Sequence, residues 1–169
     1  MKIAIVGYSG SGKSTLARTL GEYHHAEVLH LDTVHHLAGW KERDRESKEK
    51  IVKAFLDGHT DWVIDGNYAK LFYDRRMEEA DLIVMLLFNR FSCLCRAYKR
   101  YRKYKGKSRP DMTPGCDEKM DRAFVWWILH EGRSKTARDR YRCVQTQYVG
   151  KVVVLKNQKQ LDAFVQTLQ

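Results

Sequence analysis

The residues Gly7-Tyr8-Ser9-Gly10-Ser11-Gly12-Lys13-Ser14 place glycines, a lysine and a hydroxyl at the G-x-x-x-x-G-K-[ST] spacing. Glycine tolerates backbone angles that turn successive N–H groups inward, and such a concave loop holds phosphate oxygens. A helix beginning at the lysine adds the positive end of its dipole at the same point. Lys13 can reach β- and γ-phosphates as a mobile charge, and the Ser14 hydroxyl suits Mg²⁺. Gly7, Ser9, Gly10, Ser11, Gly12, Lys13, Ser14 and Thr15 are the expected nucleotide-binding set, with ATP and Mg²⁺ as cofactors. A glycine-rich turn without a ligand is the competing reading. The apolar Ile3-Ala4-Ile5-Val6 before the loop and Leu16-Ala17-Arg18-Thr19-Leu20 after it supply the strand–loop–helix context that phosphate binding requires.

Acids end two other apolar runs. Leu29-His30-Leu31-Asp32 places Asp32 beyond the carboxyl end of a strand, where ligands of open α/β sheets bind. There it can orient or deprotonate an acceptor hydroxyl or hold a metal-bound water; the alternative is a helix N-cap. Trp62-Val63-Ile64-Asp65-Gly66-Asn67-Tyr68 puts Asp65 at a second strand end, where with Ser14 it would hold Mg²⁺. Gly66 allows close approach or an unusual backbone angle, and Asn67, Tyr68 and Trp40 are expected with Asp32 around the acceptor. Asp-Gly and Gly-Asn are also ordinary turn dipeptides. Arginines crowd both sides of a Pro/Gly stretch, and always-charged guanidinium groups stabilise a transferring phosphoryl. Arg96, Arg100, Arg133 and Arg138 are the expected catalytic cations beside Lys13 and Asp32, while most other arginines form a solvated basic face. The seven histidines, with His35 and His36 adjacent, lack metal-ligand spacing.

These groups need a frame to hold them. Strands are expected over 2–6, 27–31, 61–65, 82–88 and 151–155. Helical spacing appears over 13–22, 44–57, 90–105, 117–131, 133–146 and 158–168, the last with Leu161, Phe164, Val165 and Leu168 on one stripe. Alternating strands and helices imply an α/β fold, a three-layer phosphate-loop NTPase core with a five-stranded parallel sheet between helices. Both prolines fall in the basic run Lys105–Cys116, so 1–169 reads as a single kinase-like domain with a short lid insertion at about 103–118. At 169 residues no disulfide staple is needed, and the four cysteines are expected as reduced thiols of a cytoplasmic protein. No apolar run is long enough for a membrane span, so no membrane partner is expected. The net charge of +10 suits polyanions such as nucleotides, phosphorylated substrates or nucleic acid without choosing among them.

The phosphate loop, Leu29-His30-Leu31-Asp32-Thr33, Gly39-Trp40 and Trp62–Tyr68, in order and at this spacing, resemble the adenylate-kinase-related DNA topology modulation (FlaR-like) proteins. So do Asp111-Met112 to Gly115-Cys116-x-Glu118 and the aromatic Phe124-Val125-Trp126-Trp127-Ile128. The resemblance implies sheet order 2-3-1-4-5, ATP binding and a lid. The family's label implies DNA as a partner, whereas the motifs imply transfer of the γ-phosphoryl of ATP to a small nucleotide or hydroxylated metabolite. No residue in these motifs reads bases and no recognition helix is identifiable. A nucleotide-binding DNA-associated protein with little turnover, and a nucleotide-gated switch, stand as the alternatives.

Overall fold

The computed structural model describes residues 1–167. Strands β1 (Lys2–Gly7), β2 (Glu27–His30), β3 (Trp62–Asp65), β4 (Leu82–Leu86) and β5 (Val152–Leu155) all pair in parallel, in the order β2-β3-β1-β4-β5. This is the five-stranded parallel sheet expected from the alternation of elements, in the order 2-3-1-4-5 that the resemblance implies. The helices are α1 (Lys13–His24), α2 (Leu31–His35), α3 (Arg45–Gly58), α4 (Tyr73–Glu79), α5 (Arg90–Tyr104), α6 (Arg122–Leu129), α7 (Lys135–Gln147) and α8 (Gln158–Gln166).

Side chains of a strand alternate between faces, so a central strand of a parallel sheet is apolar throughout. Ile3, Ile5, Val63 and Val84 pack on one face against Leu16 and Leu20 of α1, Cys93 and Ala97 of α5, Ile128 of α6 and Leu161 of α8. Ala4, Val6, Trp62, Ile64, Ile83 and Met85 pack on the other against Val34 of α2, Val52 and Leu56 of α3, Met77 of α4 and Val144 of α7. All four cysteines are free, Cys93 and Cys116 buried and Cys95 and Cys143 exposed. Among the described residues no helix is long and apolar enough to cross a membrane.

The elements depart from the sequence expectations where tertiary partners decide. The strand expected to include Leu31 ends at His30, because His30 pairs with Asp65, the last residue of β3, and no ladder partner follows. Thr33 Oγ1 then donates to the His30 carbonyl (2.7 Å) and Leu31 opens α2. The strand expected to reach Phe88 stops at Leu86; Asn89 caps α5 by accepting from the Ser92 amide. The helix expected from 117 begins at Arg122, where Asp121 caps it. A short antiparallel ribbon, His36–Leu37 with Lys41–Glu42, is an addition to the expected elements. Leu168 lies outside the described residues.

Helix α4 also escapes pattern reading, since its sequence Tyr-Asp-Arg-Arg-Met-Glu-Glu reads as polar. Arg76 within it is fully buried. Its guanidinium donates to the carbonyls of Leu71 (2.9 Å), Gly66 (3.1 Å) and Tyr68 (3.0 Å), which fixes the loop leaving β3. Burial lowers its pKa to about 10, so it remains a cation at neutral pH. Arg76→Ala strands three carbonyls, each worth ~1–3 kcal/mol when left unpaired. We expect the variant to lose roughly 3 kcal/mol or more of unfolding free energy in urea titration, with Arg75→Ala, on the more exposed side of the helix, losing under about 1 kcal/mol.

Candidate active site

The turn after β1 is tied to the sheet on both sides. The Tyr8 amide donates to the Leu86 carbonyl (3.1 Å), and the Ser11 amide and hydroxyl both donate to the Tyr8 carbonyl (3.2 and 2.7 Å). Gly12 caps α1 at φ 100°, and a Cβ there would run into the Arg96 guanidinium. Lys13 Nζ folds back onto the same Tyr8 carbonyl (3.0 Å). Burial lowers its pKa, although the nearby charges of Asp65 and Asp32 favour the ammonium.

Asp65 is 4% exposed and both its oxygens are engaged. Ser14 Oγ donates to Oδ2 (2.8 Å), and Oδ1 meets His30 Nδ1 (2.5 Å). Burial disfavours the His30 imidazolium, but the hydrogen bond to Asp65 and its charge outweigh burial, and the histidine pKa is raised. Asn67 closes a clamp across the strand ends: its Oδ1 accepts from the Gly7 amide (3.0 Å) and its Nδ2 donates to the Gly7 carbonyl (2.8 Å). Asn67, expected around the acceptor, thus gives one N–H and one lone pair of its amide to the phosphate loop. Gly66, at φ 134°, abuts Leu31, whose Cβ would lie 2.8 Å from an added methyl; the close approach there is made by the protein itself.

Asp32 lies across the cavity. It accepts from Tyr68 Oη (2.7 Å) and from Arg109 Nη2 (3.2 Å). Burial raises its pKa, but the Tyr68 hydrogen bond and the charges of Arg109 and Lys13 prevail and hold the carboxyl below its usual value. Burial and the neighbouring Asp32 raise the Tyr68 phenol. Arg109 also pairs with Asp111 (3.5 Å) and Glu118 (3.7 Å); Asp111 reaches Arg18 (3.4 Å), and Glu118 accepts from Arg100 (2.6 Å). The Pro/Gly stretch, read from sequence as a mobile lid, is docked in this structure. Arg109, Asp111, Met112, Cys116 and Glu118 are buried. Thr113 Oγ1 donates to the His36 carbonyl (2.6 Å), the Gly39 amide to Gly115 (2.9 Å) and Trp40 Nε1 to Asp117 (3.0 Å).

These groups surround one cavity of about 760 Å³. Ser9, Gly10, Gly12, Lys13 and Ser14 line one part and Asp32, Trp40, Tyr68 and Arg109 another, with Asp65, Gly66, Asn67 and Arg100 also on its wall. Gly7, Ser11 and Thr15 do not line the cavity; Gly7 and Ser11 are buried and Thr15 is exposed. Three of the four chosen arginines do not line the cavity. Arg96 fills space beside Gly12 and bonds to Gln158; Arg133 stacks on the Tyr8 ring (3.7 Å) and donates to the Phe88 carbonyl (2.9 Å); Arg138 is exposed. Helical spacing puts Arg96 and Arg100 on one side of α5 but does not say how far along it the cavity extends. Arg109 and Arg140 take wall positions that no motif marked, and Glu118, which ends one of the motifs carrying the resemblance, takes another without having been given a role. The available signal was the three acids, Asp111, Asp117 and Glu118, in and beside an otherwise basic stretch. No cluster of three or more His, Cys, Asp or Glu suited to a metal occurs among the described residues.

The His30–Asp65 pair yields a pH-dependent expectation. A histidine whose pKa is raised on folding contributes its full stabilisation below its unfolded value of 6.5 and loses it as pH rises through the higher folded value. His30→Gln is therefore expected to lower the melting temperature more at pH 5.5 than at pH 8.5. Equal losses at both would show that the pair does not favour the imidazolium.

The AAA domain family matches residues 3–97 of the chain. Curated proteins give no significant sequence match. Among solved structures, shikimate kinase from Bacteroides thetaiotaomicron is 22% identical at TM-score 0.55, covering 100% of this chain and 96% of its own. Shikimate kinase from Acinetobacter baumannii, solved in complex with shikimate, is 16% identical at TM-score 0.58, covering 99% and 89%. TT1252 from Thermus thermophilus is 14% identical at TM-score 0.53, covering 100% and 98%. At these identities the likeness is one of fold.

Proposed function

The chain belongs to the AAA domain family, and we propose that it is an ATP-dependent phosphotransferase acting on a small hydroxyl-bearing acceptor. The observation that carries this reading is the single cavity shared by a phosphate loop and, across it, an ionised Asp32 held by Tyr68 and Arg109. Loop amides and Lys13 would hold the triphosphate, Lys13 leaving the Tyr8 carbonyl for a stronger anionic partner. The Ser14 hydroxyl and the Asp65 carboxylate, already in hydrogen-bond contact, are hard oxygen donors that fit Mg²⁺. When bound, the ion would neutralise charge on the phosphates. Asp32 would orient the acceptor hydroxyl and take its proton, and Arg140, at the cavity wall, would face the charge of the transferring group. The segment at about 103–118 would serve as the lid, and 1–169 as one kinase-like domain.

A second reading keeps DNA as a partner, in line with the resemblance to FlaR-like proteins. Lys99, Arg102, Lys103, Lys105 and Lys107 form an exposed basic ridge from α5 into the docked segment, on a chain of net charge +10. Such a ridge would bind phosphates without reading bases.

Lys13→Ala is expected to reduce acceptor-dependent ADP release by roughly 100-fold or more. Asp32→Asn is expected to lower kcat by about 100-fold or more while ATP affinity, measured by calorimetry, changes little. Full activity in either variant would remove that residue from the proposed machinery. For the second reading, gel-shift titration should give DNA affinity that falls steeply between low and moderate salt and weakens in a Lys103→Glu/Lys107→Glu double variant.

A further inference from the structure

The acceptor side of the cavity is crowded with charges that already have partners. Arg109 is 7% exposed and faces three carboxylates, Asp32, Asp111 and Glu118, at 3.2, 3.5 and 3.7 Å. Arg100 is held by Glu118 (2.6 Å) and Arg18 by Asp111 (3.4 Å). Lys119, the remaining cation on this side, lies 3.4 Å from Asp121 and 5.1 Å from the Trp40 ring centre. Three arginines and three carboxylates thus balance within one network. Burial outweighs the nearby acids at His36, whose pKa is lowered, so that imidazole adds no charge. Among the described residues, the cavity-lining cations without a carboxylate partner are Lys13 and Arg140, and Lys13 belongs to the phosphate loop.

A phosphate or carboxylate seated against Arg100 or Arg109 would have to take that arginine from its carboxylate, leaving an acid of the network uncompensated. Among the described residues the only alternative cation on this side is Lys119, whose pair with Asp121 is exposed to solvent. A hydroxyl-rich molecule faces no such cost. It can donate to the carboxylates of Asp32 and Glu118, accept from arginine N–H groups and lie against the Trp40 wall. We propose, resting on the phosphotransferase reading above, that the acceptor is an uncharged polyhydroxylated compound of nucleoside or sugar type, rather than one already carrying a phosphate or carboxylate. In the transfer the acceptor oxygen forms its bond to the γ-phosphorus of ATP as the bond to the β,γ-bridging oxygen breaks. The electron pair leaves with ADP, and the hydroxyl proton passes to Asp32.

The test uses the intact protein with ATP and Mg²⁺ and measures ADP release for matched acceptors: nucleosides against their 5′-monophosphates, and hexoses and cyclitols against their monophosphates and uronic acids. The neutral member of a pair should show a kcat/KM roughly 100-fold higher. Turnover confined to, or faster with, the anionic members overturns the inference while leaving the phosphotransferase reading intact. ATP binding with no turnover of either class overturns both. Asp111→Asn removes one partner of Arg109, and the anionic-to-neutral ratio of kcat/KM should rise about tenfold. Because it is a ratio, this readout does not depend on the fraction of variant that folds. An unchanged ratio would show that Arg109 is not neutralised by this network, and the inference fails.

Discussion

A carboxylate at the end of a buried strand has to be shared, and in this protein Asp65 is shared between a helix start and another strand end. Its oxygens reach Ser14 at the start of α1 and His30 at the end of β2, so one buried charge fixes the spacing of the first three strands where they open toward the cavity. Desolvating a carboxylate is costly unless its lone pairs are satisfied, and the geometry of both partners follows from that requirement. The Asn67 clamp on Gly7 reinforces the same junction one peptide further out. The phosphate loop is positioned less by its own glycines than by what β3 delivers to it.

The frame was legible because its residues obey one-dimensional rules. The apolar runs of β1 and β4 fill both faces of a parallel sheet, and the glycine, lysine and serine spacing of the loop carries its structure with it. Asp32 and Asp65 were legible for the related reason that strand ends gather at one edge of such a sheet. What could not be read from spacing was commitment, meaning which side chains already use hydrogen-bonding capacity within the protein. Asn67 lines the cavity yet gives one donor and one acceptor to Gly7, and Arg133 lies against Tyr8 and Phe88. Arg76 has the composition of a surface residue and the burial of a core one, because three loop carbonyls needed donors. Such assignments depend on contacts between residues far apart in the chain, and no local pattern records them.

The two halves of the cavity are built by different physics. The phosphate-loop half relies on backbone amides and a helix end, which bind anions irrespective of the rest of the ligand. The opposite half relies on side chains drawn from α1, α2, α5, the loop after β3 and the docked segment. Motifs describe the first kind of site well, since its chemistry lies in consecutive residues. The second kind is assembled from residues far apart in the chain.

The docked segment from Lys105 to Glu118 has one further consequence. Charges of opposite sign follow one another from Arg18 of the body through Asp111, Arg109 and Glu118 of the segment to Arg100 of the body, so each of the three inner ions is held by neighbours on both sides. Loosening any one contact weakens the next, and no partly detached arrangement keeps every ion paired. Detaching part of such a segment is costly, because every buried ion it frees has to be hydrated or left without its partner.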